Sequence, residues 1–141
     1  MMKNFLYDKK NTLSLEKKLK RLGISDLLLM TAAGYNLYKL VNENIDYDEA
    51  IILAGPGNNG GDAISFAIQA KINGEKVSCI NLSNHKNNSK KLLNFSKEIG
   101  LEYKKFNKDL FIKKRKLLII DGILGIGISR DPKGKIAEVI N

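Results

Sequence analysis

The sequence predicts an α/β sandwich, and three observations carry that prediction. Short aliphatic runs recur at residues 51–54, 77–82 and 117–120, each too brief for a helix and of the composition expected of a buried strand. Between them lie segments with helical apolar spacing, and strands alternating with helices imply right-handed crossovers and a parallel sheet. The first and last runs each empty into a glycine-rich stretch, where open α/β sheets place the loops that hold ligands.

Residues 13–22 put Leu15, Leu19 and Leu22 on one helical face, and Gly23 stops the run. Ser25 can cap a second helix ending near Asn44, with Leu27, Leu28, Met30, Leu37, Leu40 and Val41 as the stripe expected to face the core. Residues 51–54 form a short buried strand, and residues 63–72 a helix ended by Asn73 and Gly74. A second strand spans 76–82, a helix 89–99 closes at Gly100, and a short strand covers 102–106. Four consecutive aliphatics at 117–120 suit a strand buried on both faces, and 134–140 begins a last helix. The expected architecture is a Rossmann-like three-layer α-β-α sandwich with a mostly parallel sheet, preceded by two N-terminal helices.

With 141 residues the chain can bury one core, so a single domain is expected. One cysteine and one histidine exclude an internal disulfide and argue against zinc chemistry. Cys79 lies in an apolar run and is expected in the core; His85 follows that run in a polar stretch and is expected to be a solvated loop residue. The longest apolar stretch, 117–128, is interrupted by Asp121 and glycines, short of the roughly 20 uninterrupted residues a membrane span needs. No signal-peptide pattern opens the chain, because Asp8, Lys9 and Lys10 follow Phe5 and Leu6 at once, so the expected location is cytoplasmic, with no membrane partner. The net charge of +9 is spread along the chain and interleaved with asparagine rather than aromatics. That pattern favours an anionic small molecule over nucleic acid as partner.

The stretch "AGPGNNGGDA" contains Gly55, Gly57 and Gly60 at dinucleotide-binding spacing. An ordinary nicotinamide-cofactor site also needs an acidic residue at the end of the second strand, and Ile80 to Asn84 offers none. A phosphate loop of the Walker type fails too, since Asp62 stands where lysine should. The glycines instead allow close backbone approach, with the helix N-terminus expected after Asp62 facing an anion. Asn58 and Asn59 bring carboxamides that donate and accept, while Asp62 either caps the helix or receives sugar hydroxyls. Asp121, at the end of a strand expected to be buried, is costly there unless paired or bound to a cation, and with Asn59 it could supply oxygen ligands to a hard cation. Arg130 either holds a phosphate or pairs with Asp131.

Together "LLLMTAAG" (27–34), "AGPGNNGGDA" and "DGILGIGISRDPKG" (121–134) resemble the YjeF N-terminal family, the NAD(P)H-hydrate epimerases, in order and spacing from about Leu13 onward. The resemblance implies interconversion of the R and S forms of hydrated NADH or NADPH (NADHX and NADPHX), so that a dehydratase can restore the cofactor. It assigns substrate contacts to Asn58, Asn59, Gly60, Gly61 and Asp62 and to Gly125, Ile126, Gly127, Ile128, Ser129, Arg130 and Asp131. It assigns a potassium ion to Asn59 and Asp121, leaves the catalytic residue open, and implies a homodimer working with, or fused to, an NAD(P)HX dehydratase. Thr31 stands where the family commonly has glutamate and Ile126 where it has threonine. The chain ends at Asn141, before a "VDIPSG"-like motif, so the resemblance implies one YjeF N-terminal-like domain over 1–141, incomplete at its C-terminal end. The alternatives are a non-catalytic, RNA-associated assembly scaffold of the same fold and an ordinary dehydrogenase domain.

Overall fold

Four parallel strands in the order β3-β2-β1-β4 form the centre of the molecule, whose computed structural model describes residues 8–112, 116–125 and 131–141. The strands are β1 (Glu49–Ala54), β2 (Val77–Asn81), β3 (Glu102–Lys104) and β4 (Leu117–Gly122). Helices α1 (Lys9–Arg21) and α2 (Asp26–Asn44) precede β1, α3 (Gly57–Ile72) and α4 (Asn87–Glu98) follow β1 and β2, and a 3-10 turn (Lys108–Phe111) and α5 (Lys135–Ile140) complete the chain. The Rossmann-like α/β architecture expected from strand and helix alternation is therefore present, with β1 in the interior of the sheet.

Alternation along β1 sends side chains to both faces. Ala50 and Ile52 pack with Phe66, Ala63 and Ala67 of α3, while Ile51 and Leu53 pack with Ile80 and Ile123 on the far face, against Phe106, Ile136 and Val139. Each buried isoleucine there contributes about 2 kcal/mol. Cys79 is wholly buried among these residues, as its apolar run implied, and burial pushes its thiol up to about 12.

Strand β4 departs from expectation. Its four aliphatics suggested burial on both faces, yet Ile119 is 47% exposed, because among the described residues β4 pairs only with β1 and forms an edge. The apolar stripes of the first two helices also need correction. On α2 the buried line is Met30, Gly34, Tyr38 and Val41, whereas Leu28, Leu37 and Leu40 are exposed; on α1, Leu15 and Leu22 are exposed and Leu19 is half-buried. The buried line follows α3, not leucine content: a methyl group on Gly34 would strike the Ser65 side chain, and one on Gly61 would strike the Met30 sulfur. Ser65 Oγ also donates to the Thr31 carbonyl at 3.3 Å. The first motif, "LLLMTAAG", is thus the surface on which α3 is seated, and Ser25 caps its helix by accepting from Leu28 N–H at 3.1 Å.

Candidate functional site

Parallel strands bring the loops after β1 and β4 to one edge, and the contacts between them are close. Gly55 N–H donates to the Gly122 carbonyl at 3.0 Å, and a side chain at Gly55 would run into the Ile123 carbonyl. A Cβ on Gly60 would collide with the Gly55 carbonyl, and one on Gly122 with the Ala63 methyl. Gly57, at φ +81°, makes the turn that starts α3. These contacts explain why "GPGNNGG" carries so many glycines: Gly55 and Gly60 are required by neighbouring backbone, Gly61 by the Met30 side chain, and Gly57 by turn geometry.

The helix after β1 begins at Gly57, not after Asp62. Asp62 therefore lies in the second turn of α3 and cannot be its cap, which overturns the capping alternative; Pro56 holds the cap position without a side-chain bond. Asp62 is half-buried, and that burial, reinforced by Glu16 from α1, raises its carboxyl to about 6. Gly60 and Gly61 are buried against Gly55 and Met30, and Asn58 is exposed at the turn.

Asn59 connects the two loops. Its Nδ2 donates to the Leu124 carbonyl at 3.0 Å, and its amide oxygen keeps its acceptor capacity. A Cβ at Gly125 would come 3.3 Å from the Asn59 Cβ. Asp121 is exposed rather than buried, so the burial cost inferred from sequence does not arise, β4 being an edge strand. Its Oδ1 accepts from Ile123 N–H at 2.9 Å, fixing the start of the loop. Asp131 is exposed; Ile126, Gly127, Ile128, Ser129 and Arg130 lie outside the described residues.

A cavity of about 340 Å³ opens between the β1–α3 turn and the β2–α4 loop, with Asn58 on one wall and Asn84, Lys86 and Asn87 on the other. Ser89 Oγ ties the walls by donating to the Gly57 carbonyl at 2.9 Å. Asp26 also lines this cavity, and its carboxylate is engaged by Lys20 at 2.7 Å. None of these polar residues outside the first glycine loop was singled out from sequence as a binding residue, although the run "NHKNNS" concentrates donors in six positions. His85, expected in solvent, is only 6% exposed. It folds back onto the tip of β2, its Nε2 at 2.9 Å from Asn81 Oδ1, which also accepts from Ser83 N–H at 3.4 Å. Burial lowers its pKa, keeping the ring neutral as an N–H donor to that amide oxygen.

A larger cavity, of about 550 Å³, lies at the opposite edge, near the amino ends of β1 and β2. It is lined by Glu43, Asp46, Asp48 and Glu75, and Glu75 accepts from Tyr38 Oη at 2.8 Å and from Tyr47. Lys76 also lines it, but four carboxylates against one lysine disfavour anions, so the carboxyl edge of the sheet is the better candidate despite its smaller volume.

Comparison with known proteins identifies the family of the chain. The family model for the YjeF-related protein N-terminus matches residues 27–141. The chain is 33% identical over 121 residues to an NAD(P)H-hydrate epimerase of Levilactobacillus brevis, covering 85% of this chain and 56% of that protein. It is 36% identical over 141 residues to a bifunctional NAD(P)H-hydrate repair enzyme of Dictyoglomus turgidum, covering 90% of this chain and 27% of that one. A yeast protein of known crystal structure, ynu0, shares the fold with a TM-score of 0.81 at 20% identity, over 96% of this chain and 63% of that one. The chain thus spans between half and two thirds of the length of the single-function epimerases it matches.

Proposed function

Because the chain belongs to the family of the YjeF-related protein N-terminus, we propose that it serves the epimerisation of NADHX and NADPHX in nicotinamide cofactor repair. The observation that carries this reading is the Asn59 bond to Leu124, which joins the two loops at one sheet edge where a dinucleotide can lie across both. Asn58, Asn59, Gly60, Gly61 and Asp62 form the substrate side of the first loop, and residues 125–131 that of the second. Asp62, with a carboxyl near 6, exists in both protonation states close to neutral pH, which suits a group that passes a proton to or from a bound ring.

The donor chemistry fits a potassium ion. Asn59 retains its amide oxygen and Asp121 one carboxylate oxygen after their internal bonds, and hard cations take oxygen ligands. Bound there, the ion supplies positive charge beside an anionic substrate. Asn59 and Asp121 would hold it while the loop backbone orients the ligand.

The working protein on this reading is a cytoplasmic homodimer acting with an NAD(P)HX dehydratase, and one relative is named a bifunctional NAD(P)H-hydrate repair enzyme. The test incubates the protein with the R epimer, an S-specific dehydratase and potassium, and follows the return of reduced cofactor. The expected result is acceleration over spontaneous epimerisation, with Asp121→Ala lowering the rate at least about tenfold. No acceleration by the wild-type chain would overturn the reading.

A further inference from the structure

We propose that the cavity between the β1–α3 turn and the β2–α4 loop selects the 2′-phosphorylated dinucleotide, with Lys86 as the residue that chooses it. This rests on the dinucleotide reading of the sheet edge and adds a preference that the reading itself leaves open. In α/β dinucleotide sites the adenosine ribose lies near the tip of the second strand, where a carboxylate accepts from the 2′-hydroxyl when the ligand is unphosphorylated. A cationic side chain in the same neighbourhood serves the 2′-phosphate instead.

Here the tip of β2 is Asn81, and its side-chain oxygen is already occupied by His85 Nε2 at 2.9 Å and Ser83 N–H at 3.4 Å. It is not offered to a ribose. The carboxylate on the described cavity wall, Asp26, has its Oδ1 in an ion pair with Lys20 at 2.7 Å. No second carboxylate lines the cavity among the described residues to accept from a ribose hydroxyl. Donors are plentiful: Lys86 lines the cavity beside Asn84 and Asn87, with Asn58 across from them. None of these four side chains has a hydrogen-bond or ion-pair partner among the described residues. A lysine with three N–H donors and three carboxamides match a phosphate dianion far better than a neutral diol. Lys86 is also exposed, so its replacement tests ligand choice without disturbing the core.

The experiment measures binding of NADP+ and NAD+ to the chain by titration calorimetry at fixed potassium and ionic strength. NADP+ is expected to bind about tenfold tighter or more. Lys86→Ala should collapse that ratio to within about twofold, and Lys86→Glu should invert it. Because the whole chain is cationic, Lys39→Ala, on the outer face of α2, controls for the general field and should leave the ratio as it is. Equal affinities, a ratio that survives Lys86→Ala, a ratio that falls equally with Lys39→Ala, or no binding of either nucleotide would each overturn the proposal. Its failure is separable from that of the epimerase reading. Equal acceleration of NADHX and NADPHX epimerisation leaves the enzyme and removes the preference, whereas an inactive chain that still discriminates NADP+ through Lys86 keeps the preference and removes the activity.

Discussion

The turn after β1 and the loop after β2 line the same cavity by opposite means. The first is shaped by exclusion: behind its lining residues Pro56, Gly57 and Asn58, Gly55, Gly60 and Gly61 are buried where backbone carbonyls or the Met30 sulfur leave no room for a side chain. The second is furnished with function: Asn84, Lys86 and Asn87 are exposed and unengaged. One wall thus provides a fixed surface that a ligand backbone can approach closely, and the other provides the groups that read it. Rigid shape and adaptable chemistry are separated onto adjacent loops, held together by the Ser89 bond to Gly57.

Substitutions on the two walls should therefore differ in kind. The largest effect belongs to Gly55→Ala, whose methyl meets the Ile123 carbonyl; it should lose about 3 kcal/mol or more, read as a shift of the urea midpoint. Gly57→Ala, with open space around it but a φ of +81°, should cost only about 1 kcal/mol. Equal costs at the two positions would break the claim that close contact, and not turn geometry, sets the first wall.

Asp62 should behave in the reverse of an ordinary surface carboxylate. Its carboxyl titrates near 6 in the folded chain against 3.8 as the reference, so between those values the native state binds its proton more tightly than the unfolded state does. Stability from this group is accordingly present at acid pH and falls as pH rises toward 6. Asp62→Asn should stabilise by about 1 kcal/mol near neutrality, after discounting for its partial exposure, and by nothing below about pH 3.5. A variant less stable than wild type at neutral pH would show that Asp62 has a partner that rewards its charge. The smallest stability effect belongs to the second wall: Asn84→Ala should stay within about 0.5 kcal/mol of wild type in thermal unfolding while weakening nucleotide binding.

The same contrast governs what could be read from sequence. The strands were legible because aliphatic runs such as Ile51 to Leu53 have few other uses, and the convergence of the two glycine loops followed from parallel order. The start of α3 was not, because "GNNGG" has poor helical propensity; the helix exists there because its glycines fit against Gly55 and Met30, a tertiary cause with no local trace. Leu28, Leu37 and Leu40 of α2 were misread for a related reason, since the helix meets α3 through Gly34 and the small Ser65, and leucines have no place in that seam. The burial expected of Asp121 failed because it depended on the number of strands beside β4, and its bond to Ile123 N–H was not legible in the sequence. His85 was hidden by polar neighbours, and only the fold brings it back to Asn81.

The central claim is that the carboxyl edge of this sheet, between the loops that follow β1, β2 and β4, holds a nicotinamide dinucleotide. The most direct measurement is a backbone amide chemical-shift titration of the isotopically labelled chain with NADP+ in potassium buffer. Saturable shifts are expected at Gly57, Asn59, Asp62, Leu124 and Gly125 and at Asn84 to Asn88, with none at Asn42 to Asp46 on the opposite edge. Shifts confined to that acidic opposite edge, or no saturable shifts at all, would contradict the account.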